Sequence, residues 1–398
     1  MPKACKQAVI LAGGRGMRLR PLTNDRPKPM VSVHGRPFLE YLIELFKEND
    51  ITDIVLLLGY MPEKIIDYFG DGARFGVNLK YSVGDLDWET GTRIREAKDL
   101  IADTFLLAYA DNYWPMRLGL MMDFYNQGEA PYMVTAYNNR DGGAEYGYEN
   151  NLQISENGPV LNYDRSRKAP GLSAVDIGFF ILQKSILGFM PEHNFSFEAE
   201  ILPKIIAQGK LAAYRTDHGY YPLTSPESLS KLEKFFAPRK VIFLDRDGII
   251  NKPIEGDYVR SPDQFKFLPD AVSFLRHLSE KNYEIYVITN QRGIGRGLMT
   301  EKDLENIHAK MTAELDRASV KISGIYHCPH LEEDKCFCRK PAPGLLHRAA
   351  NENYINLYCS IFVGDRDSDV EAGNKAGCRT ILVGPNENLL SAVEPILS

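Results

Sequence analysis

The sequence predicts two α/β domains, and three observations carry that expectation. At 398 residues the chain is too long for one ordinary domain and points to two or three. Two apolar runs, residues 7–12 and 241–244, read as buried strands, and each breaks abruptly into a loop rich in glycine or acid. In an open α/β sheet, such loops at the carboxyl ends of strands carry the chemistry. Finally, residues 225–236 combine a capping-box start with helical apolar spacing, and Ala237-Pro238-Arg239-Lys240 stops that helix just before the second run. The domains are therefore expected over residues 1–236 and 237–398.

Composition narrows the function classes. A hydrophobic content of 44% with mixed charge is that of a soluble globular protein, and a net charge of −6 argues against a general nucleic-acid binder. No stretch approaches the roughly 20 apolar residues of a membrane helix. The six cysteines are unevenly spread, three of them between 328 and 338, which is metal spacing rather than a disulfide framework. We expect a cytoplasmic protein whose partners are small molecules, with neither nucleic acid nor membrane among them. The oligomeric state stays open.

In the N-terminal half, the first strand opens into Gly13-Gly14-Arg15-Gly16-Met17-Arg18-Leu19. The glycines let backbone N–H groups approach phosphate oxygens, and the arginines add charge. Dinucleotide folds and plain turns share such loops, so the continuation decides. Arg18-Leu19-Arg20-Pro21-Leu22-Thr23, then Pro27-Lys28-Pro29-Met30, resembles the sugar-1-phosphate nucleotidyltransferases, and no Walker Lys-Ser/Thr pair follows the glycines. The resemblance implies a Rossmann-like, GT-A-like domain that joins a sugar phosphate to an NTP with release of pyrophosphate. Arg18 and the backbone of Gly13, Gly14 and Gly16 would cradle the triphosphate, with Lys28 near the reacting phosphates. Asp111, ending an apolar run, would hold Mg²⁺, and Gly91 would lie near base and sugar. Asp176 and Glu198 fall where the family lines its sugar pocket. Two departures stand out: Arg93 occupies a position that is usually small, and the family's late metal-binding Asp is Pro222 or Leu223 here. Asp217 is the nearest acid able to replace it. The plain alternatives are a helix-cap or turn role for Asp111 and a surface-helix position for Glu198, and Asp176 is a weak signal singly.

In the C-terminal half, the strand at 241–244 ends in Asp245-Arg246-Asp247-Gly248. One acid can attack phosphorus while the other handles the proton, and together they can hold Mg²⁺. Alone, this could be a solvated turn. Three further pieces follow in order: a strand ending in Thr289-Asn290-Gln291, the pair Arg339-Lys340, and Val363-Gly364-Asp365 running into Arg366-Asp367-Ser368-Asp369. The set resembles the haloacid dehalogenase (HAD) phosphatases over roughly residues 238–398. The resemblance implies Asp245 as nucleophile, Asp247 as acid and base, and Thr289 and Lys340 on the phosphoryl oxygens. Mg²⁺ would sit on Asp245, Asp365 and the Asp247 main-chain carbonyl. Between the second and third strands, Cys328, His330, Cys336 and Cys338 form a tetrahedral set suited to structural Zn²⁺, against the alternative of a metal-free cysteine-rich loop.

Here the match narrows. Thr289-Asn290-Gln291-Arg292-Gly293-Ile294-Gly295-Arg296-Gly297 and the Cys-Pro-His…Cys-x-Cys-Arg-Lys-Pro-Ala-Pro-Gly344 run resemble the D-glycero-D-manno-heptose 1,7-bisphosphate phosphatases. Zinc-bearing histidinol-phosphate phosphatases share most of this. The resemblance implies substrate contacts from Asn290, Gln291, Arg292, Arg339 and Arg366. Joined, the halves suggest a bifunctional enzyme of nucleotide-activated sugar synthesis, using GTP by analogy. Two other readings stay open: another sugar or polyol phosphate with CTP or a different NTP, and an N-terminal domain that binds nucleotide only to regulate the phosphatase.

Overall fold

The computed structural model describes residues 3–397 apart from 141, 157 and 386. It divides into two compact units, Met1–Phe236 and Ala237–Ser398. The first is built on a seven-stranded sheet of β1 (Gln7–Ala12), β2 (Asp53–Leu58), β3 (Asn78–Val83), β4 (Thr104–Tyr109), β5 (Tyr132–Tyr137), β6 (Val175–Gln183) and β7 (Leu211–Thr216). Their spatial order is β3-β2-β1-β4-β6-β5-β7. β1 runs parallel to both neighbours, with Val9 opposite Val55 on one side and Leu107 on the other. That central position, buried at every residue, is why β1 reads as an apolar run from Ala8 to Ala12, with buried Gln7 at its start hydrogen-bonded to Asp53. β6 is antiparallel to β4 and β5, and its register against β5 shifts between Asp176 and Phe180. Gly178 absorbs the irregularity with φ +78°.

The second unit holds five parallel strands, β8 (Lys240–Leu244), β9 (Tyr283–Asn290), β10 (Ile322–Cys328), β11 (Ile361–Gly364) and β12 (Arg379–Leu382). Their order is β10-β9-β8-β11-β12. Chain direction across the sheet reverses between β8 and β11, which opens a crevice at their carboxyl ends. Both faces are covered. Ile242, Leu244, Ile285, Val287 and Val363 pack with Phe274, Leu304 and Met311 on one side. Val241, Phe243, Tyr286, Ile288 and Phe362 pack with Leu345, Leu346 and Ala372 on the other. Fully burying such a side chain contributes about 1.5–3 kcal/mol, so after the exposed Lys240 no position from Val241 to Leu244 can be polar cheaply until the strand ends at Asp245. Among the described residues, no helix is long and apolar enough to cross a membrane.

Phe243 lies at the centre of that second layer with no exposed surface. Phe243→Ala should cost about 3–5 kcal/mol of stability through the cavity it leaves, read as a lower denaturation midpoint in urea.

Candidate active sites

The crevice of the second unit gathers acids around one lysine. Asp245 leaves β8 buried, and its Oδ1 accepts from Lys340 Nζ at 2.7 Å. The same ammonium reaches Asp369 Oδ1 at 2.7 Å and donates to the Ile288 carbonyl at 2.9 Å. Burial works against the Lys340 charge, and Asp245 with Asp369 more than offset it, so the ammonium holds its proton more firmly than usual. Burial pushes Asp245 up to about 7; Lys340 opposes this, while Asp369 and Asp247 add to it. Two acids thus share one cation, and negative charge is left over.

Asp365 adds to that excess. One oxygen each from Asp245, Asp365 and Asp369 lies within 4.8 Å of the others. Asp365 Oδ1 is buried without a hydrogen-bond partner, and Arg366 Nε at 4.0 Å is too far to donate. An orphan carboxylate oxygen beside two more acids suits a hard divalent cation, so these residues fit Mg²⁺. In the sequence Asp369 is one of several acids after β11 that could complete a metal site, with nothing to separate it from Asp367. Its place four residues after Asp365, at the start of helix α1 (Asp367–Ala376), turns it inward, whereas Asp367 faces solvent. Two glycines make the approach possible. A Cβ at Gly248, where φ is +101°, would stand 2.1 Å from Asp365 Oδ2, and one at Gly364 would stand 2.2 Å from Asp369 Cβ.

Asp247 is held differently. Asn251 Nδ2 donates to its Oδ1 at 2.9 Å, Gln291 Nε2 to its Oδ2 at 2.8 Å, and Arg246 to both oxygens at 3.0 and 2.8 Å. Burial alone would raise its proton affinity, but the Arg246 charge and these donors keep the carboxyl below its ordinary value. Arg246, fully buried, also approaches His308 Nε2 at 3.2 Å. Burial, the Arg246 charge and His327 push that imidazole down to about 3, so it stays neutral and accepts. Gln291 is buried as well, donating to Thr289 Oγ1 at 2.8 Å. Its amide therefore positions Asp247 and Thr289, and it leaves the Thr289 proton available for a phosphoryl oxygen. Asn290 pairs through both amide atoms with the Lys340 main chain at 3.1 Å. Above these groups lies a cavity of about 800 Å³, whose wall includes Arg292, Lys335, Arg339, Arg366 and Lys375.

Cys328, His330, Cys336 and Cys338 come together just before Arg339. Their ligand atoms are 3.2–3.6 Å apart for the pairs Cys328–His330, Cys328–Cys336, Cys328–Cys338, His330–Cys338 and Cys336–Cys338. A tetrahedron with Zn–S near 2.3 Å has edges of about 3.8 Å, so the four fit Zn²⁺ with a slight expansion.

In the first unit, the glycine loop follows β1. Gly16 has φ +60°, and a Cβ there would stand 2.9 Å from Lys28 Cβ, so loop and lysine pack directly. Lys28 Nζ donates to Asp111 Oδ2 at 2.7 Å, and Arg18 reaches Glu145 at 3.4 Å. Arg93 is buried beneath the loop. Its guanidinium donates to the carbonyls of Leu58 and Asp85, both at 2.7 Å, and Leu86 at 3.2 Å, and a Cβ on Gly13 would stand 2.5 Å from it. No carboxylate lies within 4 Å of it among the described residues. Gly91 is bare because the Phe195 ring fills the space, 2.1 Å from where a Cβ would be. Glu198 accepts from Thr90 and Ser196, each at 2.9 Å, and from the Tyr109 hydroxyl. Burial pushes nearby Asp176 up to about 7; its bond from the Gly178 N–H opposes this, and the Glu198 charge adds to it. Tyr109 was not singled out in the sequence, since a strand-end tyrosine carries no signal of its own, and Thr90 stood only within the Glu89–Thr92 run.

Asp217 follows β7, three strands from the β4 end that carries Asp111, and its carboxylate is bound by Asn138 at 2.9 Å and Arg140 at 3.1 Å. The segment that returns to Asp111 is Tyr221–Pro222, paired with Asn112–Tyr113, and Leu223 N–H donates to the Asp111 carbonyl at 2.8 Å. Leu223 is buried and brings no acid.

Two sites of these kinds on these two sheets define an enzyme with a nucleotidyltransferase domain and a HAD-type phosphatase domain. The chain belongs to the nucleotidyl transferase family, whose model matches residues 7–235, and a HAD-hydrolase-like model matches residues 337–392. The D-glycero-alpha-D-manno-heptose-1,7-bisphosphate 7-phosphatase of Photorhabdus laumondii is 37% identical over 167 residues, 38% of this chain and 90% of that protein. The corresponding beta-anomer enzyme of Helicobacter pylori is 40% identical over 145 residues, 36% of this chain and 83% of its own. The C-terminal part belongs to the family of these phosphatases. HddC from Yersinia pseudotuberculosis, in complex with GMP-PN, superposes with a TM-score of 0.50 at 27% identity, covering 58% of this chain and 99% of that one.

Gly248→Ala should lower phosphate release by about 100-fold or more, since even 1 Å of misplacement of Asp365 costs that much. Pyrophosphate release should be unaffected. Cys336→Ser should lower zinc content, measured by metal analysis of the purified protein, and weaken phosphatase activity by loosening the segment that delivers Arg339 and Lys340.

Proposed function

We propose that the chain removes the C7 phosphate of a D-glycero-D-manno-heptose 1,7-bisphosphate and couples the resulting 1-phosphate to an NTP, GTP first, in the cytoplasm. The observation that carries this reading is the union in one chain of two near-complete relatives, a family of 7-phosphatases and a fold matched to HddC bound to a guanine nucleotide analogue.

In the phosphatase, Asp245 attacks the phosphorus to give an aspartyl-phosphate as the P–O bond to C7 breaks. Thr289 and Lys340 neutralise the phosphoryl oxygens. The bound dianion raises the proton affinity of Asp247 by like-charge repulsion, so Asp247 carries a proton to the leaving alkoxide. It then takes one from water, which attacks the aspartyl-phosphate, releases phosphate and regenerates Asp245. In the transferase, an oxygen of the sugar 1-phosphate attacks the α-phosphorus and pyrophosphate leaves. No protein nucleophile is needed, and the glycine-loop N–H groups, Arg18 and Lys28 neutralise and align. Asp176 and Glu198 would accept from sugar hydroxyls. Mg²⁺ held by Asp245, Asp365 and Asp369 in one site, and by Asp111 in the other, would supply charge neutralisation. A single carboxylate suffices where nucleotide phosphates and water complete the set.

A second reading is favoured by Leu223 beside Asp111, where an acid was expected: the N-terminal domain binds nucleotide without turning it over. Pyrophosphate release from any NTP with a sugar 1-phosphate removes that reading. With both anomers of the bisphosphate and GTP in one pot, phosphate should appear before pyrophosphate. Asp245→Asn should lower phosphate release by about three orders of magnitude or more, yet leave nucleotide-sugar formation from the 1-phosphate intact. Lys28→Ala should do the reverse. Loss of both activities in a folded Asp245→Asn protein would overturn the assignment of separate sites.

A further inference from the structure

Two arginines in the wall of the phosphatase cavity hold one carboxylate oxygen between them. Glu332 Oε1 accepts from Arg292 NH1 at 3.1 Å and from Arg339 NH2 at 3.4 Å. Arg292 follows β9 two residues after Asn290, and Arg339 directly precedes Lys340, so both come from segments that also carry phosphoryl-binding groups. The Tyr258 hydroxyl accepts from Arg292 Nε, and Arg339 reaches back to the His330 carbonyl at 3.5 Å. The guanidinium of Arg339 is set into the wall, its side chain 15% exposed, whereas that of Glu332 is 69% exposed and reaches in from solvent.

Two guanidinium groups converging on one oxyanion form the arrangement that recognises phosphate. A single carboxylate oxygen uses two of their donors. Exposed ion pairs contribute little, so this occupant is held loosely enough for a dianion to displace it. Glu332 belongs to the loop between His330 and Cys336, and Lys340 is held by other partners, Asp245, Asp369 and the Ile288 carbonyl.

We infer that Glu332 is the resident counter-ion of the Arg292–Arg339 fork and is displaced when the substrate's second, unreacting phosphate binds there. The inference rests on the bisphosphate reading above. Displacement charges every bisphosphate a fixed cost, while a substrate with one phosphate leaves Glu332 in place and gains nothing from the fork. The carboxylate also excludes weaker anions that cannot compete with it, so Glu332 is a specificity-determining residue.

The test compares heptose 1,7-bisphosphate with heptose 7-phosphate in the full-length protein, wild type against Glu332→Gln and Glu332→Ala, with zinc content measured in each. Both variants should keep their zinc and their kcat, and should lower KM for the bisphosphate about three- to tenfold, the worth of two exposed ion pairs. KM for the 7-phosphate should not move. An unchanged or raised KM for the bisphosphate in both variants overturns the inference, since Glu332 would then merely brace the arginines. An equal fall for both substrates also overturns it, because general repulsion of anions would explain that. A wild-type enzyme that cleaves the 7-phosphate as well as the bisphosphate overturns the two-phosphate reading itself.

Discussion

A buried ammonium shared by two carboxylates organises the catalytic end of the second unit. Taking Lys340 out of water would be unfavourable alone, and Asp245 and Asp369 at 2.7 Å each reverse that cost. The arrangement fixes much of what surrounds it. Asn290 must clamp the Lys340 main chain, the Cys/His loop must end directly before it, and the turn from β11 into α1 must deliver both Asp365 and Asp369. Glycine at 248 and 364 follows from the same crowding, because no side chain fits between these acids. The charge left after one lysine has served two acids, with Asp365 beside them, is what makes the cluster suited to a divalent cation.

The two sites solve phosphorus chemistry in opposite ways. In the second unit, the two carboxylates proposed to attack and to transfer the proton are held in different states by their neighbours. Burial and other acids raise Asp245, while Arg246, Asn251 and Gln291 keep Asp247 low. In the first unit, no such pair surrounds the glycine loop among the described residues. Lys28 and Asp111 neutralise each other at 2.7 Å, and a nucleotide would find cations and backbone donors rather than a nucleophile.

Much of this was legible in the sequence because it lies at strand ends. β1 and β8 announce themselves as apolar runs, and Asp245, Thr289, Lys340 and Asp365 follow in chain order. The Cys/His spacing was equally plain. What sequence could not supply was the direction of side chains just past a strand. Gln291 looked like a substrate contact, and the structure buries it against Asp247 and Thr289. Asp367 and Asp369 were indistinguishable until the turn into α1 placed one outside and one inside. Asp217 was the nearest acid by number, yet β5 and β6 separate β7 from β4, and the chain returns to Asp111 only at Pro222 and Leu223.

Arg93 stood out in the sequence as a large residue in a small residue's place, and the structure gives it three carbonyl partners beneath the glycine loop. Carbonyl oxygens neither titrate across the physiological range nor exchange their charge with dissolved salt. Buried dipoles therefore brace the floor of the glycine loop, and the brace is indifferent to acidity and ionic strength. The Lys28–Asp111 contact is part-exposed, so dissolved salt screens it. A rise in salt would loosen that exposed pair and leave the shape of the loop above Arg93 unchanged.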